Sequence, residues 1–486
     1  MRRGRERSRV NFVSATFVLF AAATLLLYYT PPLRHHQVSL LIAASIVFYA
    51  YGQPYLLLLF LASALINAVT SFRVLRASAR NERMRWAAGG IIANLCILGF
   101  FKYGRLSLGL LPAGAEPGQG LFYTLLALPL PIGISFYTFH GISLLIDVVK
   151  RGDPRGFGAQ SPDHPPPSFF RHLHQTLLYL SFFPQLIAGP IVKAHFFFPQ
   201  IGPKRFADID WTNAIQALVT GYFLKCVVAD NLQDQTFWMT YPYFLNLSSL
   251  TLLALLFGYS MQIFADFAGY SLIAIGLAAL LGYRLPQNFN FPYLSQTFSE
   301  FWTRWHMSLS AFLREYLYYP LGGNRKGAVR TYANLMMVMA LGGLWHGAAI
   351  SYAVWGTWHG LALVVERLLR NTWFYRARGP LMVAIRTGIV FSFVSAAWLL
   401  FKLPHFSDVI AYVQAIASNR EKHIEYLQIL SIAVFSLPVV LYHLLHRFQF
   451  ETPQFLAAAR PVFYGTMLAA IILSSGNANA FVYFQF

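Results

Sequence analysis

Leu341-Gly342-Gly343-Leu344-Trp345-His346-Gly347 sets one histidine inside a nearly uncharged segment long enough to cross a bilayer. A polar ring at that depth is costly to insert, so it calls for a hydrogen-bonding partner or a chemical task. Gly342, Gly343, Gly347, Ala348 and Ala349 around it permit close helix packing or the close approach of a substrate. A lone buried histidine is more often a hydrogen-bonded core residue than a catalyst, and both readings stand at this point. For the second, a neutral imidazole suits general-base work near pH 7.

Outward from this segment, Ser299–Gly360 places Glu300, Arg304, His306, Arg314, Glu315, His346 and His359 among tryptophans and aliphatics. From Gly282 to Lys326 the chain is amphiphilic, with Asn288, Asn290, Asn324 and Arg325 interleaved with Phe, Tyr and Trp. At helical spacing Glu300 and Arg304 are i,i+4 partners, as are Trp302 and His306. One helix can therefore present an ion pair and a histidine side by side. The competing reading is an interfacial amphipathic helix with tryptophan anchors.

The composition places this stretch in a membrane. Charged residues make up 11% of the 486, against about 25% in soluble domains, while hydrophobic residues reach 57%. The net charge of +19 lies in short basic runs between apolar segments and not on one face, which reads as topology and not as nucleic-acid binding. Cys96 and Cys226 sit in separate apolar segments without metal-binding spacing and are expected to be small core residues.

A span needs about 20 apolar residues. That requirement selects segments near 12–30, 38–70, 86–101, 121–149, 173–192, 211–229, 248–283, 331–352, 353–370, 381–402, 425–445 and 461–480. The expected fold is therefore all-α, a polytopic transmembrane protein of about a dozen helices with short interfacial helices. The second segment is broken at Gly52-Gln53-Pro54. Residues 1–486 read as one integral membrane domain with a basic tail over 1–11 and a chemical segment over 260–365. The apolar run after the arginine-rich start is longer than a signal-peptide core and lacks a small-x-small cleavage site, so a retained span is expected. Basic runs at Arg73–Arg85, Lys150–Arg155, Arg325–Arg330 and Arg367–Arg378 mark cytoplasmic connections, and Gly156–Ser168 is a proline-rich loop by composition. No internal repeat of the transporter kind is evident.

Five motifs occur in order: Asp266-Phe267-Ala268-Gly269-Tyr270-Ser271, Asn288-Phe289-Asn290-Phe291-Pro292-Tyr293, Glu300-Phe301-Trp302-Thr303-Arg304-Trp305-His306, Leu317-Tyr318-Tyr319-Pro320-Leu321-Gly322-Gly323-Asn324-Arg325 and Gly343-Leu344-Trp345-His346-Gly347. Together they resemble the membrane-bound O-acyltransferase (MBOAT) family. Ile132–Tyr137, Phe183–Pro190 and Phe481–Phe486 resemble its bacterial alginate O-acetyltransferase branch, and the resemblance covers nearly the whole chain. It implies that His346 is catalytic and that His306 lines the reaction chamber. His359 also matches that branch, and structural hydrogen bonding is its expected role. Thr303 stands where the family commonly has arginine, which puts in doubt any role that needs paired arginines.

Acyl transfer from a thioester requires a deprotonated hydroxyl and a dry chamber. His346 would be the base. His306, Arg304 and the Asn288 and Asn290 amides are candidate oxyanion donors, and Trp345 is a candidate substrate contact. Asp266 either orients a histidine or arginine or links two helices. Asn324, Arg325, Lys326 and Arg330 offer basic groups to a phosphate-rich donor, although a solvated topology-setting loop is the simpler account. No phosphate cradle, HExxH, GxSxG or metal-binding spacing is present, so no metal or bound cofactor is expected. The resemblance implies acetyl transfer from a cytoplasmic donor, acetyl-CoA, across a bacterial inner membrane toward an exopolysaccharide such as alginate or cellulose. It also implies a periplasmic acetyltransferase partner. The alternatives are D-alanyl transfer of the teichoic acid kind and a transporter whose buried charges line a pathway.

Overall fold

The computed structural model describes residues 12–108, 128–152, 168–186, 189–447 and 454–474, and these are helical without a strand. The tail 1–11, most of the Gly156–Ser168 loop and Phe481–Phe486 lie outside the described residues. Two compact units form, Met1–Ile215 with Ala274–Pro286, and Gln216–Ile273 with Gln287–Phe486.

Helices of seven or more residues are numbered here. The first unit contains α1 (Ala15–Tyr29), α2 (Gln37–Gly52), α3 (Leu57–Arg76), α4 (Arg80–Leu108), α5 (Ile134–Arg151) and α6 (Phe169–Ser181). Ser14 caps α1 by accepting from the Phe17 amide at 3.2 Å. Pro31 and Pro32 end the run, and the chain turns by 97° into α2. The expected break at Gly52-Gln53-Pro54 is present as the end of α2. Asn67 on α3 and Asn94 on α4 exchange amide hydrogen bonds at 3.1 and 2.9 Å in a buried pair. That pairing satisfies polar groups that lipid could not.

The second unit contains α7 (Trp211–Tyr222), α8 (Asp230–Thr236), α9 (Ser249–Leu280), α10 (Phe298–Arg304), α11 (Met307–Leu313), α12 (Gly327–His346), α13 (Ile350–Leu369), α14 (Pro380–Lys402), α15 (Phe406–Ser418), α16 (Tyr426–Arg447) and α17 (Gln454–Leu473). The ranges of α7 and α9 run into both units. Trp305, Trp355 and Trp398 are fully buried in its core with Phe301 and Phe401. α12 and α13 form a tight hairpin because glycines line their contact. A Cβ on Gly343 would collide with the Tyr352 carbonyl, and one on Gly356 with that of Met339. Of the two uses expected for the small residues around His346, Gly343 serves helix packing, whereas Gly342 faces a cavity.

Among the described residues five helices have the length and apolarity to cross a membrane: Pro54–Arg76, Arg80–Gly104, Ser249–Leu280, Pro380–Lys402 and Tyr426–Arg447, or six if the bent α1–α2 pair is one span. Five of the dozen expected segments meet this length-and-composition test among the described residues, and others differ from a plain span for physical reasons. The 173–192 segment stops at Ser181 after 13 residues, and 211–229 changes at Phe223 into a π-helix, Phe223–Ala229. α12 and α13 have the length but carry glycines, histidines and tryptophans where a plain span has aliphatics. Both cysteines are free, and Cys96 is exposed, not a core residue.

Candidate active site

The site is built where two short helices meet a loop. Thr297 caps α10 by accepting from the Glu300 amide at 3.0 Å, and the Glu366 carboxylate on α13 accepts from the Phe298 and Ser299 amides. These contacts satisfy amide donors that the start of a helix leaves open. α10 ends at Arg304, and His306 follows with φ of +40°, in the left-handed region that non-glycine residues rarely occupy. The loop before α10 doubles back along this turn: the Asn290 amide donates to the Arg304 carbonyl at 2.9 Å, and the Met307 amide to the Asn288 carbonyl at 2.9 Å.

His306 is fully buried. Its Nδ1 lies 3.1 Å from Asn288 Oδ1, which also accepts from the Ser308 hydroxyl at 2.7 Å and the Ser308 amide at 3.3 Å. Asn288 Nδ2 donates to Ser271 Oγ on α9 at 3.1 Å. Phe267, also on α9, packs edge-on against the His306 ring at 4.6 Å.

His346 closes α12. Its ring stands near-perpendicular to Trp355 and Phe401, both at 5.2 Å, and to Trp345 at 5.0 Å, with the His306 ring 6.5 Å away. It lines a cavity of about 200 Å³ with Trp302, Ser310, Arg314, Tyr318, Gly342 and Trp355. The remaining wall is aliphatic, so the polar groups of the hole are few.

The expected site residues therefore separate. His346, His306, Asn288 and Trp345 come together, with Trp345 packed against both histidine rings, at 5.0 and 6.1 Å. Arg304 and Asn290 do not line the cavity. The Arg304 guanidinium is spent on Glu300 at 2.9 Å and on the Asn290 carbonyl at 3.1 Å, and the Asn290 side chain is exposed. Asp266 is a helix link: Lys225 Nζ, fully buried, sits 2.8 Å from Asp266 and 2.7 Å from Asp230. This triad stands beside a close helix crossing, where a Cβ on Gly221 would press on the Gly269 carbonyl.

His359 departs from expectation as well. It is fully buried, but neither ring nitrogen has a hydrogen-bond partner among the described residues, and it is held by Trp355 at 4.8 Å and Trp302 at 5.1 Å. Asn324, Arg325, Lys326 and Arg330 are exposed, as a solvated loop would be. Ser310, Tyr318, Trp302 and Trp355 were not singled out as site residues in the sequence, because nothing in their types distinguishes them from core. Lys225, one cation in the apolar 211–229 segment, was a readable signal for the triad. Among the described residues no three His, Cys, Asp or Glu side chains converge as a metal site would require.

Residues 171–403 match the model of the MBOAT, membrane-bound O-acyltransferase, family. The chain is 37% identical over 372 residues to the probable alginate O-acetylase AlgI of Pseudomonas aeruginosa and to that of Azotobacter vinelandii, covering 75% of this chain and 66% and 69% of those proteins. It is 35% identical over 376 residues to the peptidoglycan O-acetyltransferase of Helicobacter pylori, covering 74% of this chain and 70% of that protein. The chain thus spans about two thirds of the length of the curated relatives it matches. Motif order, apolar helices and these alignments agree, and the chain belongs to the membrane-bound O-acyltransferase family.

Proposed function

We propose that this chain transfers acetyl from a cytoplasmic donor, acetyl-CoA, toward an extracellular polysaccharide across a bacterial inner membrane, working with a periplasmic acetyltransferase partner. The observation that carries the reading is the His346 ring in the wall of a cavity of about 200 Å³, with a second imidazole 6.5 Å away. Such a hole has room for the acyl end of a thioester beside the imidazole. The names of the aligned relatives, an alginate O-acetylase and a peptidoglycan O-acetyltransferase, favour acetyl as the group and a polysaccharide as its destination.

In this reading His346 takes the proton of the acceptor hydroxyl as its oxygen attacks the thioester carbonyl. The new C–O bond forms, the C–S bond breaks, and the proton passes from the imidazolium to the departing thiolate. Trp302, Trp355 and the aliphatic wall keep out the water that would hydrolyse the donor. The oxyanion needs donors preorganised toward it, and Ser310 and Tyr318 are the hydroxyls in the cavity wall.

The test is the O-acetyl content of the host's extracellular polysaccharide in a deletion strain carrying wild type or His346→Ala at equal membrane levels. Restoration by wild type and loss in the variant is expected. Full acetylation with His346→Ala would overturn the catalytic assignment and favour transport.

A further inference from the structure

We propose that Asn288 is a positioning residue that locks His306 in one tautomer, so that His306 meets its substrate as a hydrogen-bond acceptor through Nε2 and not as an oxyanion donor. The proposal rests on the acetyl-transfer reading of this chamber.

The hydrogen bonds determine the assignment. A backbone N–H only donates, so the Ser308 amide at 3.3 Å requires the Asn288 atom it meets to be the oxygen. The opposite end of the amide, Nδ2, donates to Ser271 Oγ on α9 at 3.1 Å, which pins the side chain at both ends. With oxygen facing it at 3.1 Å, His306 Nδ1 must carry the proton. A neutral imidazole then holds a lone pair at Nε2, and this atom is buried without a hydrogen-bond partner among the described residues.

Two further observations mark the ring as placed for a purpose. Its backbone is held in the left-handed region, a conformation that persists in a non-glycine residue only where surroundings impose it. The ring centroids of His306 and His346 are 6.5 Å apart; with nitrogens about 1 Å out from each centroid, the rings cannot hydrogen-bond to each other directly, so the Nε2 lone pair is not taken up by His346. A sugar, with hydroxyls on adjacent carbons, can give one O–H to His346 and the next to His306 Nε2. Asn288 thereby helps to orient a polyhydroxyl acceptor without touching it.

The experiment measures transfer of radiolabel from acetyl-CoA to polysaccharide in host membranes carrying each variant at equal level. Asn288→Leu should lower the maximal rate about 10–100-fold with the KM for acetyl-CoA unchanged, as expected for loss of a supporting contact. Asn288→Asp, which keeps an oxygen opposite Nδ1, should recover most of the rate. In a His306→Ala background Asn288→Leu should add less than about threefold, because coupled residues are not additive. Asn288→Asp as inactive as Asn288→Leu, or a full multiplicative loss on top of His306→Ala, would overturn the positioning role. Wild-type membranes that transfer no label would instead overturn the acetyl-transfer reading on which it rests.

Discussion

Two places in the second unit bury polar side chains to the same depth and treat them in opposite ways. In the Lys225–Asp230–Asp266 triad the ammonium meets two carboxylates at 2.7 and 2.8 Å, and a close helix crossing packs beside it. In the histidine chamber one ring edge of His306 is anchored by Asn288, the other has no hydrogen-bond partner among the described residues, and the ring lies 6.5 Å from that of His346, which lines a cavity. Burial of charge or imidazole in an apolar protein does not by itself mark chemistry. What separates the two is satisfaction: a closed set of partners reads as architecture, and a buried lone pair left without one reads as a place for substrate.

The contrast breaks most visibly at Lys225. Lys225→Met leaves two carboxylates buried together and should cost about 3–5 kcal/mol, seen as a large fall in the thermal unfolding midpoint in detergent. Adding Asp230→Asn and Asp266→Asn should return much of that loss, since removing a buried charge set as a whole is far milder than removing one partner. A Lys225→Met protein that unfolds like wild type but transfers no acetyl group would place the triad in the chemistry instead.

A smaller effect sharpens the other side. His359→Phe replaces a fully buried ring, whose nitrogens have no hydrogen-bond partner among the described residues, by an apolar ring in the same aromatic cage. It should leave stability unchanged or slightly raised, because an unpaired buried polar group costs about 1–3 kcal/mol. If activity is lost in that stable variant, His359 belongs with His306 as an open group of the chamber. Arg304→Ala should matter least. Its ion pair with Glu300 is about a quarter exposed on each side, and such pairs contribute about 0–1 kcal/mol. A large fall in turnover with Arg304→Ala would return the arginine to the site.

Much of this was legible in the sequence, and the failures have physical causes. The membrane class followed from the scarcity of charge, and the break at Gly52-Gln53-Pro54 followed from proline geometry. The bounds of two segments did not, because hydropathy windows over 173–192 and 211–229 take Phe169–Ser181 and the π-helical Phe223–Ala229 into continuous apolar helix, whereas hydrogen-bonding register decides where a helix stops. His306 and His346 were picked by residue type in an apolar setting, and the fold brings their rings to 6.5 Å. Arg304 and Asn290 were picked on the same grounds and fall away because their partners, Glu300 and a backbone turn, lie within reach locally. Asn288 reads in the sequence as a candidate oxyanion donor; the three hydrogen bonds its oxygen accepts come from a left-handed turn at His306 that no spacing rule announces.

The central claim is that chemistry is centred on His346. Its most direct test is the rate of acetyl transfer from acetyl-CoA to polysaccharide by host membranes carrying His346→Ala, with the unfolding midpoint of the purified variant measured in parallel. The account predicts an unchanged midpoint and a rate about 10²–10⁴-fold below wild type, the usual contribution of a positioned base. A rate within a few-fold of wild type in an equally stable protein would contradict it.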